Sequence, residues 1–154
     1  MDDTDALRVS VCTNSALRRA TRRIGQLYDD ALAPVGLRAT QYSILSQIER
    51  AGGEPLVGRM AELLVMDLSA LGHTLRALQK DGLVEVRPDE NDRRSRRVRL
   101  TRAGRARLKQ ARVLWDGAHR RFEETFGADN AHQLRAVLDA IASPDFAERF
   151  GEQS

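Results

Sequence analysis

The chain has 154 residues with 25 basic and 22 acidic side chains, which gives a formal net charge of +3. Its length fits one domain, and its 42% apolar and 31% charged residues permit a folded core and argue against general disorder. The single cysteine, Cys12, excludes an internal disulfide framework and a multi-cysteine metal site, and the absence of a signal-peptide pattern or of roughly 20 consecutive apolar residues leads us to expect a cytoplasmic protein.

Three helices are predicted in the first part of the chain. Apolar residues at helical spacing from Leu17 onward predict a long first helix, which ends before Pro34. Thr40 is the predicted N-cap of a second helix, which ends at Gly52, and Pro55 opens a short third helix. The residues of the third helix that we expect to face inward are Met60, Leu63 and Leu64.

A fourth helix follows the interruption at residues 66–67 and is predicted to end at Gly82. Together with the third helix it has the shape of a helix-turn-helix. If its apolar stripe points inward, small and polar side chains remain on its outer face, and these allow a helix to enter the DNA major groove closely. The predicted inward stripe is Leu71, Leu75 and Leu78.

Alternating apolar and polar residues in segments 83–87 and 97–100 predict an antiparallel hairpin, which completes a winged helix. Residues 93–112, which begin at the hairpin tip, carry ten Arg or Lys and no Asp or Glu. Such a cluster is either a solvated arginine-rich face or the partner of a polyphosphate backbone. Because the charge coincides with the wing, we favour nucleic acid.

The remaining helices indicate self-association. Thr101 is the predicted cap of a long helix that ends at Gly127, and a sixth helix and a last turn starting at Ser143 follow. A winged helix needs only about half of this chain, so we infer that the long terminal helices bury their apolar stripes across the two-fold axis of an obligate homodimer.

The predicted fold is mainly α, with a winged helix-turn-helix, a two-stranded wing hairpin and long N- and C-terminal dimerisation helices. We divide one intertwined domain into an N-terminal dimerisation helix at residues 1–36, a DNA-binding part at 37–100 and C-terminal dimerisation helices at 101–154.

Several motifs support a family assignment. They are Gly36-Leu37 with Gln41, the string Leu-Gln-Lys-Asp-Gly-Leu-Val at residues 78–84, Asp92-Arg93-Arg94, and Leu-Thr-Arg-Ala-Gly at residues 100–104. Over about residues 12–142 the chain resembles the MarR family of bacterial transcriptional regulators. The resemblance implies a triangular homodimer whose two winged-helix lobes read a pseudo-palindromic operator in double-stranded DNA.

The resemblance also implies roles for individual residues. Residues 68–81 would be the recognition helix, and Arg94, held by Asp92, would enter the minor groove, where a guanidinium suits the negative potential. Most other arginines would contact phosphate. For His73, a solvated helical histidine is the alternative reading. The recognition-helix candidates are Ser69, Ala70, His73, Thr74 and Arg76, and the wing candidates are Asp92, Arg93, Arg94, Arg96 and Arg97.

Members of this family commonly release DNA when a small, often phenolic or carboxylic, ligand binds. We therefore expect a ligand-responsive repressor that accepts an aromatic or anionic compound. For each pocket candidate taken singly, the alternative is a core aromatic residue or a solvated cation. The candidates for the pocket are Arg18, Arg19, Arg22, Tyr28, Tyr42 and Trp115.

Two alternatives stay open. Cys12, followed by Tyr28 and Tyr42, permits a redox sensor, because one branch of the family senses organic hydroperoxides through an N-terminal cysteine. The fold is also compatible with a non-specific architectural or protein-interaction module. An enzyme is not expected: the sequence has no Gly-rich phosphate loop, no Gly-x-Ser-x-Gly and no His-Glu-x-x-His, so we predict no catalytic residue, metal or cofactor.

Overall fold

The structure is a computed structural model, and it describes residues 12–152. Within this range the chain is mainly helical with one two-stranded sheet, as the sequence predicts. The elements are α1 (Thr13–Leu32), a 3₁₀ turn (Ala33–Val35), α2 (Ala39–Arg50), α3 (Val57–Leu63), α4 (Leu68–Lys80), β1 (Val84–Pro88), β2 (Arg96–Leu100), α5 (Arg102–Phe126), α6 (Ala128–Ile141) and α7 (Pro144–Gly151).

Predicted helix boundaries are confirmed where a glycine or a hydroxyl side chain sets them. Gly82 follows α4 with φ +72°, a left-handed conformation that glycine adopts without steric cost. Thr101 caps α5, since its Oγ1 accepts a hydrogen bond from the N–H of Gly104 at 2.9 Å. Ser143 caps α7 in the same way, at 3.3 Å from the N–H of Phe146.

The predicted cap of α2 is wrong. Thr40 lies inside the helix, and Arg38 occupies the N-cap position. The free N–H groups are satisfied from elsewhere: Gln41 Oε1 accepts from the N–H of Arg38 at 3.0 Å, and Asp29 Oδ1 accepts from the N–H of Ala39 at 2.7 Å. Because Asp29 belongs to α1, this cap also joins the first helix to the second.

Helix α3 begins at Val57 rather than at Pro55, because the carbonyl of Pro55 accepts a hydrogen bond from the N–H of Val98 in β2 at 3.1 Å. The shift changes the buried stripe. Leu63, predicted to face inward, is 53% exposed, and Leu64 is half-buried. The stripe at i, i+3, i+4 and i+7 is Val57, Met60, Ala61 and Leu64.

Helix α3 ends in a Schellman motif that makes the turn of the helix-turn-helix. The N–H of Met66 donates to the carbonyl of Ala61 at 2.9 Å, and the N–H of Val65 donates to the carbonyl of Glu62 at 3.1 Å. This pattern requires a left-handed residue at Val65, whose φ is +50°. Met66 packs partly buried against the core.

The hydrophobic core lies under the helix-turn-helix and the hairpin. Leu71, Leu75 and Leu78 of α4 are buried in it, which confirms the predicted stripe. The hairpin pairs Val84 with Leu100 at its base and Pro88 with Arg96 near its tip.

The same cluster includes Leu32 of α1 and Leu108 of α5. The core therefore crosses both boundaries of residues 37–100, and the three-part division of the chain stays a prediction.

Helices α6 and α7 bury little against their own chain. Ala131 is the buried residue of α6, and no residue of α7 is buried. Large apolar side chains remain exposed on the terminal helices. They are Leu27, Val113, Phe126, Val137, Leu138, Phe146 and Phe150. Among residues 12–152, no helix combines the length and the apolar character needed to cross a membrane.

Candidate nucleic-acid interface

Helix α4 presents the predicted recognition residues to solvent. Ser69, Ala70, His73 and Arg76 are exposed, and Thr74 is half-buried. The Thr74 hydroxyl donates to the carbonyl of Ala70 at 3.2 Å, so its oxygen is left as an acceptor. The exposed face is thus small and polar above a fully buried leucine stripe.

The wing tip is ordered by the carboxylate of Asp92. Its Oδ1 accepts from the backbone N–H of Arg94 at 3.0 Å, and its Oδ2 accepts from the hydroxyl of Ser95 at 2.8 Å. Asp92 therefore contacts Arg94, but at its backbone N–H and not at its guanidinium. Within residues 12–152 the Arg94 guanidinium has no carboxylate partner. The Arg94 side chain is exposed and starts from a turn that the carboxylate of Asp92 holds in place.

A second carboxylate lies beneath the tip. Asp89 is buried, and its Oδ1 accepts a hydrogen bond from Nε of Arg97, while its Oδ2 accepts from the N–H of Asp92 at 3.1 Å. Arg97 also donates from Nη1 to the carbonyl of Glu54 at 2.8 Å. The contact with Arg97 lowers the pKa of Asp89, so this carboxyl is ionised at neutral pH.

These contacts engage Arg97, which is one of the predicted wing candidates. Its side chain is 35% exposed, and its guanidinium is bound by Asp89 and by the carbonyl of Glu54, while a contact with DNA stays a prediction. Glu54 has a further role, because its carboxylate contacts Arg87 of β1 and Arg99 of β2. Arg87 is the main cause of the lowered pKa of Glu54.

The α4–wing groove lies between α4 and the wing and is also bordered by α3. It has a volume of about 810 Å³, and Arg76 and Gln79 of α4 line it together with Arg94 and Arg96 of the wing. Gln79 was not among the predicted site residues. Its position three residues after Arg76, on the same helix face, is the signal that finds it.

Half of the basic segment is bound within the chain. Arg99 pairs with Glu85, Arg112 pairs with Glu49, and Arg105 and Arg107 donate to the carbonyls of Leu100 and Val35. With Arg97, five of the ten cations have a partner. The five whose side chains have no ion pair or hydrogen-bond acceptor in the described part of the chain are Arg93, Arg94, Arg96, Arg102 and Lys109.

The aromatic residues of the predicted ligand pocket do lie together. Trp115 stacks on Tyr42 with ring centroids 5.6 Å apart, and its centroid is 6.1 Å from that of Tyr28. Burial raises the pKa of both tyrosines. His119 also stacks on Trp115, with ring centroids 4.9 Å apart.

The cations predicted for this pocket lie elsewhere. Arg22 is six residues from Tyr28, which places it about 120° round α1, and Arg18 lies about 15 Å before Tyr28 along the axis. Both are exposed, as is Arg19. The groove beside Tyr28, about 620 Å³ between α1 and α5, is lined instead by Arg121 with Leu27, Asp30, Ala31, Ala118, Phe122 and Thr125.

Cys12 is exposed at the N-cap position of α1. Hydrogen bonds from Ser15 lower the pKa of the thiol, and the bond from its backbone has a larger effect than the bond from its side chain. Within one protomer, Tyr28 lies about 24 Å further along the helix, so the cysteine and the tyrosines do not form one cluster.

A helix-turn-helix beside a cationic hairpin defines a winged-helix protein. The family model "MarR family" matches residues 37–95. The multiple antibiotic resistance protein MarR of Salmonella typhimurium is 31% identical over 117 residues, which are 75% of this chain and 81% of that protein. The chain belongs to the MarR family, a family of transcriptional regulators.

A second relative is longer. The transcriptional activatory protein BadR of Rhodopseudomonas palustris is 34% identical over 101 residues, which are 64% of this chain and 53% of BadR. The chain thus spans about half the length of that relative.

Solved structures share the fold over most of their length. The transcriptional regulator MOSR of M. tuberculosis in complex with DNA has a TM-score of 0.80 at 32% identity, covering 90% of this chain and 98% of MOSR. The transcriptional repressor CouR bound to a 23-mer DNA duplex has a TM-score of 0.76 at 32% identity, covering 86% and 93%. CouR from Rhodococcus jostii RHA1 bound to p-coumaroyl-CoA has a TM-score of 0.74 at 25% identity, covering 87% and 94%.

Proposed function

We propose that the chain is a homodimeric transcriptional repressor that binds a pseudo-palindromic operator in double-stranded DNA and releases it when a small ligand binds. One observation in particular supports the proposed DNA binding. A single groove is lined by Arg76 and Gln79 of α4 and by Arg94 and Arg96 of the wing, and these two wing arginines have no carboxylate partner in residues 12–152. Such a surface suits a helix in the major groove with a wing beside it. The similarity to MOSR and CouR, both solved on DNA, supports the same partner here.

The exposed apolar residues of the terminal helices support the homodimer. Helix α7 buries none of its residues, and Phe146 and Phe150 stack on one another at its surface with ring centroids 6.4 Å apart. An apolar surface of this extent is usually covered by a partner. A second copy covers it symmetrically and places two recognition helices for the two half-sites of an operator, about 34 Å apart.

A footprint on the intergenic DNA upstream of the gene, with scrambled duplex as competitor, tests the proposal. We expect protection of one pseudo-palindromic sequence and binding that weakens steeply with salt, because phosphate contacts release counterions. Equal competition by scrambled DNA would instead support the architectural module. A promoter-reporter assay separates a repressor from an activator, which matters because BadR is described as an activator and CouR as a repressor.

Arg94→Ala is the sharpest variant for this test. Removing a guanidinium that contacts the operator should weaken binding roughly tenfold or more, since a base or groove contact contributes about 1–3 kcal/mol. Arg19→Ala, which removes an exposed cation from α1, should bind DNA normally. Both variants should remain dimers in sedimentation equilibrium. Wild-type affinity in Arg94→Ala would contradict the wing assignment.

The groove between α1 and α5 supports a small aromatic or anionic effector. Its walls are mainly apolar, with Tyr28 and Phe122 as rings and Arg121 as the cation. CouR, which shares the fold, was solved with p-coumaroyl-CoA. Calorimetric titration with phenolic acids and their CoA thioesters should give heat with the wild type and none with Arg121→Ala. Absence of both heat and DNA release in the wild type would exclude this ligand class.

Redox sensing through Cys12 is a second candidate. The lowered pKa of this thiol favours the thiolate, which is the reactive form. If it is the sensor, cumene hydroperoxide should release the operator from the wild type but not from Cys12→Ser. Release from both proteins would remove this candidate.

A further inference from the structure

Besides the core packing of Val84, Val98 and Leu100, the wing is joined to the body of the winged helix by polar contacts with residues 54–56, the segment between α2 and α3. The N–H of Val98 donates to the carbonyl of Pro55 at 3.1 Å, and Leu56 forms a β-bridge with Arg97. The hairpin is therefore continued on one side by a short stretch of a third strand. This pairing fixes β2 to the body through the backbone.

Side chains reinforce this attachment at three points. The carboxylate of Glu54 contacts Arg87 in β1 and Arg99 in β2, so both strands of the hairpin are bound to the same residue. The carbonyl of Glu54 accepts from Nη1 of Arg97 at 2.8 Å, and Nε of that guanidinium donates to Asp89. The Arg97 side chain thus joins the body of the lobe to the base of the wing tip.

Asp89 is suited to hold the tip and unsuited to contact DNA. Its side chain is 7% exposed, and both of its oxygens already accept hydrogen bonds, from Arg97 and from the N–H of Asp92. A carboxylate facing a phosphate backbone would also repel it. Asp92 in turn holds the backbone of Arg94. The chain of contacts runs from the body through Arg97, Asp89 and Asp92 to Arg94.

We propose that Asp89 and Arg97, with the carbonyl of Glu54, form a wing latch: they are positioning residues that hold the wing tip at one place beside α4, so that Arg94 meets the operator without a search for the correct wing orientation. This inference rests on the proposed function, because it concerns operator binding. Its physical basis is that the apparent dissociation constant rises in inverse proportion to the fraction of molecules whose wing is in place. A charge-assisted hydrogen bond at the base of the tip keeps that fraction near one.

Asp89→Asn and Glu90→Gln make a matched pair for the test. Both substitutions remove one negative charge from the wing tip, and Glu90 is exposed with no hydrogen bond or ion pair in residues 12–152. If charge alone mattered, both variants would bind DNA slightly more tightly. The latch predicts the opposite for Asp89→Asn, which should bind the footprinted operator duplex about tenfold more weakly. The slope of log affinity against log salt should not change, because no phosphate contact is removed.

Trypsin provides a readout that needs no DNA. The wing tip offers exposed cleavage sites at Arg93, Arg94 and Arg96. In the free protein, Asp89→Asn should be cut at these sites several times faster than the wild type, while Glu90→Gln should be cut at the wild-type rate. The thermal unfolding midpoints of the three proteins should agree closely, which would show that the change is local to the tip.

The outcomes separate the latch from the proposed function. Wild-type or tighter operator binding by Asp89→Asn, or cleavage of its tip at the wild-type rate, would overturn the latch. If the wild type binds no duplex specifically, the proposed function fails, while the cleavage rates still decide whether Asp89 holds the tip.

Discussion

Val65 occupies a backbone conformation in which glycine is the usual residue. Its φ is +50°, and a left-handed conformation costs an L-residue roughly 1–2 kcal/mol because Cβ crowds the following carbonyl. The Schellman hydrogen bonds at the end of α3 hold it there. Since the Val65 side chain is 70% exposed, burial offsets little of this cost.

Val65→Gly should therefore raise the free energy of unfolding by about 1 kcal/mol, the strain relieved less the extra freedom of the unfolded glycine. Ala77→Gly is the control, because Ala77 is also exposed but lies inside α4. There the introduction of glycine should destabilise by about 1 kcal/mol through helix propensity. Urea unfolding at one fixed protein concentration measures both. Destabilisation by Val65→Gly would show that the valine side chain makes a favourable contact after all.

Single residues also show what a sequence can reveal about the interface. The exposure of Ser69 and His73 was predictable, because the leucine period of α4 assigns the opposite face. The internal contacts of Arg97 were not predictable, because the carbonyl of Glu54 that it binds lies 43 residues away and its neighbours in sequence form a continuous basic run. An arginine that binds phosphate and one that supports a hairpin look the same in sequence.

At the scale of elements, the junction between the wing and α5 depends on one close approach. The Cα of Gly104 faces the carbonyl of Leu83, and an added Cβ would lie 1.9 Å from that oxygen. The same carbonyl accepts from the N–H of Thr101 at 3.1 Å, while the Thr101 hydroxyl donates to the carbonyl of Gly82 at 2.6 Å. The first turn of α5 is therefore seated directly on the chain that enters β1.

Gly104→Ala should separate these two elements and lower the free energy of unfolding by about 3 kcal/mol, the upper end of the usual cost of overpacking. Gly58→Ala in α3 is the matched control, since no atom lies within 4 Å of its added Cβ, and it should be neutral or slightly stabilising. Thermal unfolding of both variants provides the measurement. An unchanged midpoint for Gly104→Ala would mean that α5 can shift without loss.

Element boundaries were predictable where one local group sets them and not where a distant one does. The caps at Thr101 and Ser143 follow from hydroxyls at the helix starts. The start of α2 depends on Asp29 from another helix, and the start of α3 depends on the pairing of Pro55 with β2. Neither contact is visible in the local sequence. Because the pairing of Pro55 with β2 moves the start of α3 to Val57, it also turns Leu63 toward solvent.

At the scale of the whole molecule, the terminal helices leave an apolar surface uncovered. Val137→Asp tests whether a second copy covers it, because Val137 is 56% exposed on α6 and a buried carboxylate without a partner would oppose association. We expect the dimer to dissociate at least tenfold more readily in sedimentation equilibrium. Leu63→Asp, of similar exposure on α3, should leave the dimer intact. A monomeric wild type, or dissociation of both variants, would contradict this assignment of the dimer surface.

The position of the basic segment was predictable from the sequence, but the number of its cations that remain available to an external partner was not. The sequence places ten cations in residues 93–112, and the structure binds five of them to carboxylates and carbonyls of the same chain. Those partners lie on the 3₁₀ turn, on α2, on the loop before α3 and on the hairpin itself, and most of them become neighbours only on folding. The available charge is concentrated at the wing tip and at Arg102 and Lys109 on α5.

The wing tip is closed on itself as well as fastened at its base. The N–H of Asp89 donates to the carbonyl of Ser95 at 2.9 Å, and the N–H of Ser95 donates to the carbonyl of Asp92 at 2.9 Å. The exposed side chains of Glu90, Asn91 and Arg93 project from this closed loop. Mutations at those three positions can thus accumulate at little cost in stability. Under the proposed function, they are the positions at which the contacts of the wing with DNA can change after a gene duplication while each copy keeps its hairpin.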